Sequence, residues 1–377
     1  MNIYIVQGGI GKHVMFSSLI EKLSDRDAEK IMIVSAYPDL FKYHPRVEVS
    51  AGFHEAGFYD KYVKGTDNNI IYREPYYSNY VKGEMHFIQS LAEMLEIEYD
   101  NDLPDIYVDN FAVEESSRFV ENFPKFIVTQ FSGGQSPINF DPNRPFIHTA
   151  GQIKDYSRER AQDVVNTIKK EYPDYTILNY ALPNEATYNL ENTIHIESPY
   201  LFYVSLLTYC KTYIAIDSSL QHFAANRHNP NKGIVLWGST DPKSLGYEKN
   251  MNLSITKEHT MRPLCSMIGD AFNEDKTPWK HPDLECMNFD PSFVIDSFDD
   301  CVKYNEELPN LSLNNIVKNE NMIPINEKTQ DMLRNIESEV GRLNTKYQSV
   351  IEAYVAANDK EGKYNVSSDG KRLIKVE

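Results

Sequence analysis

The sequence predicts an α/β protein of two mainly parallel sheets in succession, followed by a C-terminal helical extension. The 377 residues exceed what one ordinary core holds, since domains run to ~100–200 residues. Short apolar runs alternate with stretches of helical periodicity, which is the pattern of βαβ units with parallel strands. The alternation also restarts: a charged stretch closes near 122–125 and a new apolar strand begins at Phe126.

In the first half, Asn2 to Gln7 reads as a buried strand, Lys12 to Ser24 as a helix and Lys30 to Ser35 as a second strand. Phe87 to Leu95 has helical spacing, Asp105 to Val108 has strand character and Val113 to Phe123 reads as a charged helix. In the second half, Phe126 to Phe131 is a strand, and Ser157 to Lys170 is an amphipathic helix with Ser157 as N-cap. Tyr175 to Asn179, Thr193 to Ile196, Tyr213 to Ile216 and Gly233 to Trp237 are the later strands, at the spacing of doubly wound sheets. The expected organisation is therefore two Rossmann-like domains, 1–124 and 125–300, then a linker and helical extension over 301–377. In that extension Met332, Ile336, Val340, Leu343, Tyr347, Ile351 and Tyr354 recur at helical steps. The stripe suits packing within the chain or a homo-oligomer contact, and the tail from Asp359 is expected to be loosely held.

Composition excludes several classes. Hydrophobic residues at 41% and charged residues at 25% are ordinary for a globular chain. The net charge of -17 opposes wholesale attraction to nucleic acid or anionic lipid. No apolar run reaches the ~20 residues of a membrane span, and the first residues lack the flank of a secretory signal, so no membrane insertion and a cytoplasmic location are expected. Cys210, Cys265, Cys286 and Cys301 show no CxxC spacing. Although Cys265, His281 and Cys286 share a segment, reduced thiols and no metal site are expected. Asp100-Asn101-Asp102 has the form of a metal-binding DxD but lies in a polar loop and reads as coincidence.

Three turns carry candidate chemistry. Gly8-Gly9-Ile10-Gly11 follows the first strand and opens a helix, a layout that lets backbone N–H groups approach an anion or a sugar hydroxyl; a tight turn alone also accounts for the glycines. Asp217-Ser218-Ser219 ends a buried strand and precedes a helix bearing His222, where the N–H groups and hydroxyls of Ser218 and Ser219 can bond a diphosphate. His222 can add a donor when protonated, or can pack as a neutral ring. Gly238-Ser239-Thr240-Asp241-Pro242 follows the next strand, and two adjacent strand ends with polar turns form a cleft floor. No GxxxxGK[ST] occurs, which argues against a P-loop hydrolase.

The last two turns resemble glycosyltransferase family nine, the heptosyltransferase-like group. Its pattern is a strand, Asp-(Thr/Ser)-Gly-x-x-His-x-Ala-Ala, a strand, then Phe-Gly-Pro-Thr-(Asp/Asn)-Pro. Asp217, Ser218, His222, Ala224, Ala225, Gly238, Thr240, Asp241 and Pro242 fall on it in order. Gln7 to Leu23 and the strand-turn Thr129 to Gly134 are similar to the family's corresponding elements, so the resemblance covers roughly residues 1–250. It implies a GT-B architecture, with the acceptor bound mainly by the first domain and a nucleoside-diphosphate sugar by the second. It also implies an inverting transfer with no cofactor beyond that co-substrate.

Donor contacts are then expected from Ser132, Gly133, Gly134, Lys154, Arg158, Glu185, Ser218, Ser219, His222, Gly238, Thr240 and Asp241, and acceptor contacts from Gly9, Gly11, Arg73 and Glu74. Asp217 joins Lys12 and His13 as the candidate catalytic set. The family usually carries an acidic residue just after the first glycine turn, where this chain has Lys12 and His13. His13 can serve as base, its ordinary pKa of ~6.5 suiting proton transfer; otherwise Lys12 binds phosphate and Glu74 or Asp39 is the base. A glycan or a protein is the expected acceptor. A modified DNA base is the alternative, since Lys12, His13, Lys42, His44, Arg46, Lys61, Lys64, Arg73 and Lys82 give the first domain a basic surface. A non-catalytic sugar-nucleotide-binding scaffold is the reading from another class.

Overall fold

The computed structural model describes residues 1–75, 78–81, 83–133, 154–181, 185, 187–196, 198–238, 240–255, 287–308, 363–366 and 373–376. Gly134, the 265–286 cysteine segment and the helical stripe of 326–357 lie outside the described residues. The chain divides into two compact units, Met1–Lys318 and Asn319–Glu377.

The first unit is α/β and contains two parallel sheets. Strands β1 (Asn2–Val6), β2 (Ile31–Ser35), β3 (Val47–Gly52) and β4 (Asn69–Tyr72) form a four-stranded sheet in the order β3-β2-β1-β4. Strands β5 (Phe126–Gln130), β6 (Thr176–Asn179), β7 (Tyr213–Ile216), β8 (Ile234–Trp237) and β9 (Met251–Ser254) form a five-stranded sheet in the order β6-β5-β7-β8-β9. Strands β2, β5, β7 and β8 are buried at every position, as strands covered by helices on both faces must be.

Each sheet therefore has one point where the strand order reverses: between β1 and β4 in the first, and between β5 and β7 in the second. The crevice outside the carboxyl ends of the strands at such a point is where open α/β sheets bind ligands. One hydrophobic cluster runs from Tyr4, Val14 and Phe16 through Phe119 and Phe202 to Phe223 and Trp237, so the two sheets share a core.

Several elements differ from the sequence reading. The helix expected over 12–24 is two, Ile10–Ser17 and Ile20–Asp27. Ser17 and Ser18 turn their hydroxyls back onto the carbonyls of Val14 and Met15 at 2.6 and 2.7 Å, competing locally with the helix. Asp105 to Val108 is buried but joins no sheet. Side chains satisfy its backbone instead: the Asp105 N–H donates to Ser17 Oγ at 2.9 Å, and Asn226 Nδ2 donates to the Ile106 carbonyl at 2.9 Å. Thr193 to Ile196 is reduced to a single bridge from Ile194 to Leu178.

Strands β3, β4 and β9 were not expected from the sequence. Strand β4 is an edge strand that shows no apolar alternation and is largely exposed. The helix Pro291–Glu306 continues through the polar residues after Asp299, burying Val294, Phe298, Cys301 and Val302 against the second sheet's outer cluster. Ser157 caps Arg158–Glu171, its hydroxyl accepting from the Arg160 N–H at 3.3 Å. No helix among the described residues is long and apolar enough to cross a membrane.

In the second unit the described residues are two strands, Lys363–Val366 and Leu373–Val376, paired antiparallel.

Candidate active site

The first crevice is built by the turn after β1. Gly8 has φ +100°, a conformation that favours glycine, and Gly9 in extended conformation leads into the helix at Ile10. His13, one turn in, is fully buried with each ring nitrogen 2.9 Å from a backbone carbonyl: Nδ1 on Gly9 and Nε2 on Val6. Burial pushes its pKa below the usual histidine value, and the two carbonyls pull the other way. No ring nitrogen faces outward to take a proton from a substrate, so the placement does not suit the base expected from the sequence. His13 staples the glycine turn.

Lys12 is also buried and makes an ion pair with Glu74, which follows β4 across the switch point. Burial lowers the Lys12 pKa, and the Glu74 carboxylate opposes that shift. The Lys12 stem lies under Gly8, where an added Cβ would stand 3.3 Å from its Cδ. Glu74 itself is partly exposed, with 28% of its side chain open to solvent. Arg73 is exposed and donates to the Tyr72 carbonyl at 3.0 Å.

The second crevice joins the ends of β5 and β7. Gly133 lies so close to the Asp-Ser-Ser turn that a Cβ on it would sit 2.4 Å from Ser218 Oγ. Gln130 ties the same elements: its Nε2 donates to Ser218 Oγ at 3.2 Å, and its Oε1 accepts from the Leu220 N–H at 3.0 Å. Lys154 reaches Asp217 twice, at 2.8 Å from Oδ2 and 3.1 Å from the main-chain carbonyl, which puts a cation on this turn. The Gly133 N–H donates to Asp155 at 2.9 Å, and burial, with Glu185 nearby, pushes that carboxyl up to about 7. Ser132 Oγ meets Thr187 Oγ1 at 2.5 Å, and Ser219 hydrogen-bonds Tyr180.

The geometry limits what two of the expected phosphate donors can offer. The Ser218 N–H is taken by the Ile216 carbonyl at 2.7 Å, which leaves a ligand fewer main-chain donors than a bare helix start. His222 is a neutral ring. Burial lowers its pKa to about 3, Nδ1 lies 2.9 Å from the Tyr247 hydroxyl, and Nε2 lies 3.2 Å from Gln221 Nε2. Because Gln221 Nε2 also donates to the Leu245 carbonyl at 3.1 Å, the amide is fixed as the donor and the ring proton belongs on Nδ1.

Arg158 is engaged with the Asn189 carbonyl at 2.6 Å, and Asp241 accepts the Lys243 N–H at 2.9 Å as the cap of Pro242–Leu245. Gly238 and Thr240 are buried in the turn before that cap.

The two crevices meet through Gly11 and His222. A Cβ on Gly11 would stand 2.7 Å from His222 Cδ2, so the Ile10–Ser17 and Ser219–Ala224 helices pack at close range only because Gly11 has no side chain. Tyr37, after β2, lies edge-on to both His13 and Tyr200 at centroid distances of 4.9 and 6.3 Å, and Tyr200 stacks on Phe223 at 6.2 Å. A family 9 glycosyl transferase of solved structure shares this fold at a TM-score of 0.58. The fold is that of a family 9 glycosyl transferase.

The example from Veillonella parvula matches with a TM-score of 0.58 and 11% identity over 80% of this chain and 97% of that one. The ADP-heptose LPS heptosyltransferase II of E. coli matches with a TM-score of 0.55 and 13% identity over 81% of this chain and 100% of that one. A dodecameric iron-containing heptosyltransferase in complex with ADP-D-β-D-heptose matches with a TM-score of 0.53 and 13% identity over 81% of this chain and 78% of that one. At such identities the likeness is one of fold. No family model and no curated protein sequence matches the chain. Among the described residues no cluster of three or more His, Cys, Asp or Glu side chains is arranged to hold a metal ion.

Within the glycosyl transferase fold, the sequence-predicted residues that come together are Gly9, Gly11, Lys12, His13 and Glu74 on one side, and Ser132, Gly133, Lys154, Asp217, Ser218, Ser219 and His222 on the other. The sequence did not single out Gln130 and Asp155, and it offered Tyr180 only as the start of a loop, through Glu185, that could hold the nucleoside. For Gln130 the signal was its place at the carboxyl end of a predicted strand, where side chains reach the crevice.

Proposed function

We propose that this chain is a glycosyltransferase that moves a sugar from a nucleoside-diphosphate sugar to an acceptor hydroxyl of a glycan or protein. The observation that carries the reading is the abutment of the two switch-point crevices at Gly11 and His222, with Lys154 on the Asp217 turn. The second sheet takes the donor and the first takes the acceptor. Transfer proceeds with inversion and without a metal: the acceptor oxygen attacks the anomeric carbon as the bond to the diphosphate breaks. Lys154 stabilises the negative charge that accumulates on the departing diphosphate. The solved structures of like fold include proteins named as heptosyltransferases, one of them in complex with ADP-heptose, which supports a nucleotide-sugar donor. The net charge of -17 favours a glycan or protein over a nucleic-acid acceptor.

Release of nucleoside diphosphate from ADP-, UDP- and GDP-sugars tests the reading. Wild-type protein is expected to release it from one of them, and Lys154→Ala to lose about 100- to 1,000-fold in kcat with the fold intact. No release from any donor, with or without simple sugar acceptors, overturns the reading.

A further inference from the structure

An inverting transfer must remove a proton from the attacking hydroxyl, and the described residues restrict where that proton goes. His13 is sealed between two carbonyls, and Lys12 is buried and already paired. Asp39 lies in the turn after β2, one strand away from the reversal point between β1 and β4. Glu74 stands at the reversal itself, since the chain leaves β4 at Tyr72 and the Glu74 carboxylate folds back onto Lys12 in the first turn of the helix after β1.

From this placement we infer that Glu74 is the general base of the proposed transfer, carried by the strand beside the glycine turn and held in position by Lys12. The inference rests on the functional reading above and specifies one residue of it.

The geometry gives each partner a distinct task. Lys12 is fixed by its own surroundings, with its stem packed under Gly8 and its ammonium on Glu74, so it acts as a positioning residue. The Glu74 side chain is partly open to solvent, which gives a hydroxyl a way to approach it. A carboxylate has lone pairs for several donors, so Glu74 can accept from a substrate hydroxyl beside the Lys12 ammonium and the Tyr72 hydroxyl. In the step itself, the acceptor O–H bond breaks and its proton passes to the Glu74 carboxylate. The oxygen lone pair forms the new bond to the anomeric carbon, and the electrons of the old glycosidic bond leave on the diphosphate oxygen. No further reactant is needed. The carboxylate is reached from 62 residues along the chain, which is why the sequence around the glycine turn shows no acid.

The test uses the full chain and the nucleoside-diphosphate sugar that it cleaves fastest. Glu74→Gln keeps the shape and removes the base. It is expected to lower kcat for nucleoside-diphosphate release by about 100-fold or more. The donor KM and the thermal shift on adding the nucleoside diphosphate are expected to stay unchanged, because the donor sits on the other sheet. Glu74→Asp is expected to recover part of the rate, and Asp39→Asn to leave it within about threefold of wild type. A Glu74→Gln protein that turns over at the wild-type rate overturns the assignment, as does one that loses donor binding together with rate. Wild-type protein that neither binds nor cleaves any donor overturns the functional reading itself, and the base assignment with it.

Discussion

Asp105→Ala is expected to destabilise the first unit by about 3–5 kcal/mol, the cost of breaking a buried charge cluster by removing one partner. Asp105 is almost fully buried and receives His44 Nε2 at 3.3 Å, His228 Nε2 at 2.9 Å and Arg227 Nε at 2.8 Å. His44 Nδ1 accepts the Arg46 N–H at 3.1 Å, which leaves its proton on Nε2 to donate to the carboxylate. The Arg227 N–H donates to the Pro104 carbonyl at 2.8 Å, and Arg227 Nη1 continues to Glu21 at 3.0 Å. This cluster holds the turn after the Ser219–Ala224 helix against the extended 105–108 segment, so alanine leaves the surrounding donors facing a void. Urea unfolding should show a lower midpoint with an unchanged slope.

The same carboxylate makes stability depend on pH. The histidine hydrogen bonds and the Arg227 charge lower its folded pKa to about 2, below the ordinary 3.8, despite burial. A depressed carboxylate contributes stability that is fully present above the unfolded value and lost as pH falls through the folded one. Wild-type protein should therefore lose on the order of 2 kcal/mol from this group between about pH 4 and pH 2, a loss absent from Asp105→Ala.

Gly11→Ala should also destabilise, although alanine in an open helix position gains about 1 kcal/mol over glycine. The new methyl would stand 2.7 Å from His222 Cδ2 and 3.1 Å from Nε2, and Tyr247 and Gln221 hold that ring. Overpacking of this kind costs about 1–3 kcal/mol. Because the methyl enters where the two crevices meet, nucleoside-diphosphate release should fall as well. In a double-mutant cycle, His222→Ala gives the methyl room, and a coupling of about 1 kcal/mol or more between the two changes is expected. Additive effects would show that the helices do not meet there. Gly9→Ala, with nothing within 4 Å of its Cβ, is the control and should cost less than about 1 kcal/mol.

The β/α alternation was legible because strands buried on both faces are continuous apolar runs, as β7 and β8 show. The Asp217 to Pro242 turns were legible because their signal is local. What escaped the sequence depends on partners distant along the chain. Asp105 to Val108 has the composition of a strand, but its backbone bonds go to Ser17 and Asn226, 88 and 120 residues away. Strand β4 is short and exposed, so nothing marked it as the strand that brings Glu74 beside Lys12. His13 has the right chemistry for a base, and only the approach of the Gly9 and Val6 carbonyls reveals that both its nitrogens face the main chain. Gln130 likewise acquires its role only when the end of β5 meets the Ser218 turn.

Binding of a nucleotide sugar's diphosphate in the crevice between β5 and β7 is tested by a thermal-shift screen of nucleoside diphosphates and their sugars. A ligand at 100 times its dissociation constant stabilises the fold by about 2.7 kcal/mol. Tm is expected to rise clearly with one nucleoside diphosphate and its sugar, and to rise less in Lys154→Ala. A folded wild-type protein whose Tm moves with none of them would contradict that binding.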